Sequence, residues 1–279
     1  MNIHKNGKVR DVYDLGEKLL IVTSDRISVF DSVFSEIVPG KGTLLNQIAA
    51  FWFDKTQDVI CNHKIGVPEP NEMLCMKCKP IPLEIIVRGY LVGSLYRDYA
   101  AGKREKCGIA LPEGLKEGDP LPLPLVTPTT KGAKDHDITA QEAIKAKIVT
   151  RTQWNQICNA ALALYERGEN IASAKGLILV DTKYEFGFDK VMQLTLIDEI
   201  HTPDSSRYWL VSDREAGKLN FLDKEFLRQW VRAQGWKEGF PLPHLTPEII
   251  AEVQRRYRLI YDTLIGEKDE NSRYRLGRP

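Results

Sequence analysis

Three charges spaced two apart close the run LILVDTKYEFG: Asp181, Lys183 and Glu185. Side chains alternate across a strand, so these three share one face while Thr182, Tyr184 and Phe186 share the other. The segment LTLIDEI follows and can fold back as a hairpin in either of two registers. A tight turn at Phe188 and Asp189 sets Glu185 opposite Met192 and carries Asp198 about 20 Å away at roughly 3.3 Å per residue. That distance excludes a shared metal. A turn over Lys190 to Gln193 instead sets Glu185 opposite Asp198, with Cβ atoms about 5 Å apart. Facing carboxylates repel unless a cation joins them, so this register is a magnesium site with Lys183 beside it for phosphate oxygens. The other register is a plain solvated strand, and the pattern alone leaves both open.

Further groups of chemical interest lie elsewhere along the chain. GKVRDVY puts Lys8 and Arg10 on one strand face after Gly7, a residue that lets backbone approach a ligand; such a face suits a triphosphate, although no Walker motif is present. In IVRGYLVGS, Arg88 ends an apolar strand and Ser94 opens a helix after Gly93. A hydroxyl and amides at a helix N-terminus with a fixed guanidinium outline a phosphate-monoester site, and Arg207 in TPDSSRYW offers a second grip. The loop TTKGAKDHD carries Lys131, Lys134, His136 and Asp137, a mixture of signs suited to a zwitterion or to closing over a site. No Ser/His/Asp or Cys/His nucleophilic arrangement is evident.

The elements that must position these residues are legible in outline. Short strands are predicted at KVRDVYD, LLIVTS and RISVFD, and an amphipathic helix after PGKG presents Leu45, Ile48, Ala49 and Trp52. Strands at MLCMKCK and LEIIVRGYL follow, and a first lobe closes there. Beyond a helix from Ser94 to near Gly102, the segment ALPEGLKEGDPLPLPLVTPTTKGAKDHD reads as a long irregular stretch. Two helices come next, the second with Trp154, Ile157, Ala161, Leu164 and Tyr165 on one stripe. After the hairpin, FLDKEFLRQWVRAQG and TPEIIAEVQRRYRLIYDTLIG read as C-terminal helices.

Composition narrows the function classes. The 279 residues are 43% hydrophobic and 28% charged with a net charge of +1, an ordinary globular balance with no basic field for nucleic acid. No run of about 18 apolar residues would span a bilayer, and the N-terminus lacks a signal-peptide core, so a cytoplasmic protein with no membrane partner is expected. Cys75 and Cys78 form a lone CxxC without the partners of a zinc site; reduced, structural thiols are the expectation.

IPLEIIVRGYLVGS and LVDTKYEFG resemble the two signature segments of the SAICAR synthetase family of purine biosynthesis. GKVRDVY, SDRISVFD, PGKGTLLNQ, TPTTKGAKDHD and IDEIHTPDSSRYW fall in that family's order, so the resemblance covers nearly the whole chain. It implies an α+β fold of two lobes: an N-terminal antiparallel β lobe like a kinase small lobe, residues 1–88, and an α/β substrate lobe with C-terminal helices, residues 89–279. It implies an ATP-dependent ligase that joins L-aspartate to CAIR, the carboxylated aminoimidazole ribonucleotide, giving SAICAR, ADP and phosphate. Its cofactors are ATP and Mg²⁺, and its partners are small-molecule substrates. By resemblance, Glu185 and Asp198 hold the metal and Lys183 sits by the transferring phosphate. Gly7, Lys8 and Arg10 lie over the ATP phosphates, with Met76, Lys77 and Cys78 along the adenine. Arg88, Ser94 and Arg207 bind the CAIR phosphate, and Lys131, His136 and Asp137 face the aspartate. The hairpin tip departs from the family pattern: Val191 and Met192 stand where a glycine-containing polar turn is expected, as a surface for packing on another part of the molecule or on a partner.

Overall fold

A computed structural model describes residues 2–132 and 136–266. The first lobe contains β1 (Asn2–Asn6), β2 (Arg10–Asp14), β3 (Lys18–Thr23), β4 (Arg26–Val29), β5 (Ser32–Ile37), α1 (Lys41–Lys55), β6 (Lys64–Gly66) and β7 (Glu72–Met76). Five of these strands form one antiparallel sheet in the order β1-β2-β3-β7-β6, and β4 and β5 make a separate hairpin. Helix α1 is apolar around most of its circumference, with Leu45, Ile48, Trp52 and Phe53 all buried. A helix of that kind must be covered on several sides, and α1 packs on β3 and β7 and also on the C-terminal helix.

The second lobe runs β8 (Lys79–Tyr90), α2 (Gly93–Ala100), β9 (Glu105–Lys106), β10 (Ile109–Ala110), β11 (Pro120–Thr130), α3 (Ala140–Lys145), α4 (Arg151–Ser173), β12 (Leu177–Phe188), β13 (Leu194–Ile197), β14 (Ser206–Leu210), α5 (Val211–Glu215), α6 (Lys224–Ala233) and α7 (Pro247–Leu264). Its sheet has the order β11-β8-β12-β13, and β14 also pairs with β12. The expected lobe boundary at 88 therefore falls inside β8, a strand of the second sheet; the two sheets part between Met76 and Lys79.

The proline-rich stretch is the largest departure from the expected elements. Residues 120–130 form β11, an edge strand paired to β8, with its irregularity between Pro120 and Leu125. An edge strand tolerates prolines because one of its hydrogen-bonding sides has no partner to satisfy. Helices α3 and α4 each start on a capping box, Thr139 with Glu142 and Thr150 with Gln153. The α4 stripe is buried at Ile157, Ala161, Leu164 and Tyr165. Tyr165 donates to the Leu179 carbonyl at 2.7 Å, which fixes α4 against β12. A Cβ on Gly89 would stand 2.0 Å from that hydroxyl. Gly89→Ala is expected to lower stability by about 2–3 kcal/mol through overpacking and the displaced hydroxyl; denaturant titration reads it as a lower midpoint at unchanged slope.

Candidate active site

Strand β12 is central, and its charged face is buried rather than solvated. Asp181 is 3% exposed and Glu185 6%, each facing cations from neighbouring elements. Arg207 on β14 meets Asp181 at 2.6 Å; Arg88 on β8 stands 3.9 Å from the same carboxylate and donates through Nε to Thr127 at 2.9 Å. Lys183 lies 2.6 Å from Glu84 and 3.6 Å from Glu185, and Lys131 pairs with the other oxygen of Glu185. Burial in a sheet interior forbids unpaired charge, which explains why the charges come as a ladder.

The hairpin register is one residue from the expected one. Glu185 pairs with Ile197, not Asp198, and Phe188 pairs with Leu194. The turn spans Asp189 to Gln193: Asp189 Oδ1 accepts from the amides of Val191 and Gln193 at 3.0 and 2.7 Å, and Met192 takes φ 64°. An odd number of turn residues produces the shift. A slip of one normally sends a side chain to the opposite face. Asp198 escapes this because it lies past the end of β13 with φ 68°, out of the pleat. Its carboxylate is close enough to Glu185 that burial first, and then the Asp198 charge, raise the Glu185 carboxyl above its usual range. Burial opposes the Asp198 charge as well, but Arg10, Lys183 and Lys131 outweigh it and hold that carboxyl below the usual range. Burial likewise opposes the Lys183 ammonium, and Glu185 and Glu84 outweigh it.

Arg10 donates to Asp198 at 3.2 Å and pairs with Glu199 through its other terminal nitrogen. Lys8 pairs with the exposed Asp31 at the tip of the β4–β5 hairpin. The Gly7 amide donates to the Arg10 carbonyl at 2.8 Å, and a Cβ there would lie 2.7 Å from that oxygen, so the turn requires glycine. Met76 ends β7, and Lys77 reaches Asp14 at 2.6 Å. The half-buried Cys78 leads into β8. All five cysteines are free thiols.

A cleft of about 390 Å³ adjoins the carboxylate pair and is lined by Lys8, Asp31, Ser94, Arg97, Lys183, Arg207, Lys224, Glu225, Arg228 and Arg232, among others. Ser94 and Arg207 meet here as the sequence suggested, whereas Arg88 stays 4% exposed behind them and does not line the cleft. Gly93 has φ 58°, and a Cβ on it would come within 2.4 Å of Arg207 Nη2, so the glycine lets the guanidinium lie against the start of α2. Of the predicted loop residues, Lys131 joins Glu185. His136 contacts Thr130 at 2.9 Å, Asp137 pairs with Lys106, and Lys134 lies outside the described residues. The sequence reading missed Arg97, Lys224, Glu225, Arg228 and Arg232. For three of them the signal was present as a charged stripe at intervals of four, Lys224, Arg228 and Arg232, on a segment read only as a helix.

The donor set suits magnesium better than a metal that wants a protein cage. Among the described residues no group of three or more His, Cys, Asp and Glu could hold a metal. Two hard carboxylates beside lysines match a cation whose remaining positions come from substrate phosphates and water.

An α+β chain built on two five-stranded antiparallel sheets has the architecture of solved SAICAR synthetases. The SAICAR-synthase from Saccharomyces cerevisiae complexed with SAICAR superposes with a TM-score of 0.82 at 33% identity, covering 96% of this chain and 95% of the other. A SAICAR synthetase in complex with ADP gives 0.75 at 28% identity, covering 95% of this chain and 99% of the other. The family model for SAICAR synthetase matches residues 3–243. The phosphoribosylaminoimidazole-succinocarboxamide synthases of Azobacteroides pseudotrichonymphae and Cytophaga hutchinsonii are each 47% identical over 94% of this chain and 84% and 87% of their own lengths. The chain belongs to the SAICAR synthetase family.

Proposed function

We propose that the carboxylate pair and the cationic cleft are the two ends of one site. In it the chain carries out its family's ATP-dependent ligation of L-aspartate to CAIR, giving SAICAR, ADP and phosphate. The observation that carries the reading is Lys183: it touches Glu185 on one side and lines the Ser94–Arg207 cleft on the other. A single ammonium thus stands where a phosphoryl group must pass between a nucleotide and a second substrate.

In this reading Gly7, Lys8 and Arg10 border the triphosphate, and the segment of Met76, Lys77 and Cys78 runs along the adenine. The ADP-bound relative supports the nucleotide half. Glu185 and Asp198 would hold Mg²⁺, which when bound neutralises phosphate charge and orients the γ-phosphoryl group. Arg88, Ser94 and Arg207 belong to the CAIR side, Arg88 by steadying Asp181 from behind. Lys131, His136 and Asp137 belong to the aspartate side.

A carboxylate resists attack by an amine because its carbon is a poor electrophile and its oxygen a poor leaving group. The CAIR carboxylate attacks the γ-phosphorus of ATP, the bond to the ADP oxygen breaks, and an acyl phosphate forms. The aspartate amine then attacks the acyl carbon, phosphate leaves, and the nitrogen loses a proton. Lys183 stays protonated throughout and neutralises the transferring oxygens; positioning and charge supply most of the acceleration. We place the enzyme in the cytoplasm, consistent with its free thiols, and among the described residues no helix is long and apolar enough to cross a membrane.

Omission assays test this reading. ADP release is expected only when CAIR and L-aspartate are both present, with SAICAR formed in equal amount. Aspartate-independent ADP release with a stable phosphorylated product would make the chain a kinase instead.

A further inference from the structure

Carboxylates are scarce in the cleft. Among its described lining residues only Asp31 and Glu225 are acids, against seven lysines and arginines. Glu225 is fully engaged: Arg207 and Arg228 donate to one oxygen at 2.8 and 3.2 Å, and Arg232 to the other at 2.9 Å. Asp31 is not. Its Oδ1 meets Lys8, its side chain is 86% exposed, and its Oδ2 has no hydrogen bond among the described residues. An ion pair that open to solvent holds its partners weakly. Asp137, the acid of the loop assigned to the aspartate side, is paired with Lys106 and does not line the cleft.

The placement of Asp31 is built into the fold. Val29 pairs with Ser32, so Phe30 and Asp31 alone make the β4–β5 turn, with φ 49° and 63°. Such a turn favours glycine, asparagine or aspartate, and a phenylalanine adopts this backbone only where its surroundings impose it. They do so here: the Phe30 ring stacks on Trp236 at 4.8 Å and 14°, and the Arg232 guanidinium of α6 lies 5.0 Å from the ring centre. At the base of the hairpin, Arg26 donates to both oxygens of Asp11 and to the carbonyls of Gly7 and Lys8. The turn is thus fixed from both lobes.

L-Aspartate brings two carboxylates and one ammonium group, and its nitrogen must come within bonding reach of the activated carboxyl carbon of CAIR. A cleft of cations attracts the carboxylates and repels the ammonium. We infer that the Asp31 carboxylate receives this ammonium group, which donates to Oδ2 and is thereby oriented in the cleft. The inference rests on the ligase reading. It makes Asp31 the residue that distinguishes an amino acid from a plain dicarboxylate.

Initial rates on the full-length protein test it, with succinate, which is L-aspartate without its amine, as a competitor of aspartate. Asp31→Asn and Asp31→Gly both suit a left-handed turn and remove the charge. Each is expected to lower kcat/KM for aspartate by about 10- to 100-fold, as loss of a charge-assisted hydrogen bond does. The inhibition constant of succinate and the KM values for ATP and CAIR should stay within about threefold, as for an exposed substitution that leaves packing intact. Equal losses for aspartate and succinate would mean that the turn had moved and would overturn the assignment. A raised KM for ATP in place of aspartate would give Asp31 to the positioning of Lys8, and unchanged kinetics would overturn the assignment outright. Wild-type protein that forms no SAICAR from CAIR, ATP and aspartate would instead overturn the ligase reading, and this assignment with it.

Discussion

Glu185→Gln is expected to lower ligation kcat by about 100- to 1000-fold while leaving CAIR affinity within a few fold, the range found when one preorganised charge is removed from a reacting centre. The substitution preserves size and one acceptor oxygen but removes the negative charge that Lys131 and Lys183 share and that would hold the cation. In the proposed reading the effect falls on kcat because the transferring phosphoryl oxygens are assigned to this end of the site, whereas CAIR is assigned to the cleft that Lys183 also lines. Steady-state kinetics with saturating substrates, paired with calorimetric binding of CAIR, separate the two quantities. Loss of CAIR binding together with turnover would mean that the ladder had collapsed. Unchanged turnover would remove Glu185 from the metal site altogether. Raising the Mg²⁺ concentration should recover activity in Asp198→Asn more readily than in Glu185→Gln, because Asp198 is also held by Arg10 and is the more open carboxylate, its side chain 27% exposed.

Why Glu185 was legible and its register was not comes down to range. Alternation along β12 is a local property of the backbone, so the shared face of Asp181, Lys183 and Glu185 followed directly from their spacing. The register depended on whether the turn holds an even or odd number of residues. Asp189 settles that by accepting two amides in a turn without glycine. The rescue of Asp198 by a left-handed backbone is a single-residue event that strand periodicity cannot express. The same distinction explains β11: prolines signal a broken chain locally, and only the neighbouring β8 shows that the segment is an edge. Resemblance to a family supplied the reaction and the candidates for its site. It could not reveal that Arg88 is enclosed or that Arg97, Arg228 and Arg232 line the cleft, since those facts depend on how residues of α2, β14 and α6 come together in the fold.

The largest stability effect is expected at Asp204. This 2%-exposed carboxylate accepts from Lys41 of α1 at 3.0 Å and Lys224 of α6 at 2.8 Å through one oxygen, and from the Tyr257 hydroxyl of α7 at 2.8 Å through the other. One side chain therefore ties together three helices, including one from each lobe. Asp204→Asn keeps the shape but leaves two buried ammonium groups facing each other without a counter-charge, a loss of about 3–5 kcal/mol near neutral pH. Burial opposes the Asp204 charge and the two lysines outweigh it, placing its folded carboxyl well below the usual range. A depressed carboxyl contributes stability that is present above its unfolded value, about 4, and lost as pH falls toward the folded one. Wild-type stability should therefore fall on acidification below about pH 4, and the variant should lack that component. Lys224 adds the alkaline signature. Burial lowers its ammonium to about 8 even with Asp204 present. Without that partner it gives up its proton more readily, so neutralising one lysine relieves the repulsion as pH rises. Urea titrations at pH 6 and pH 9.5 should accordingly show a deficit that shrinks at the higher pH. An equal deficit at both would assign the loss to packing and hydrogen bonding, and the charge argument would fail.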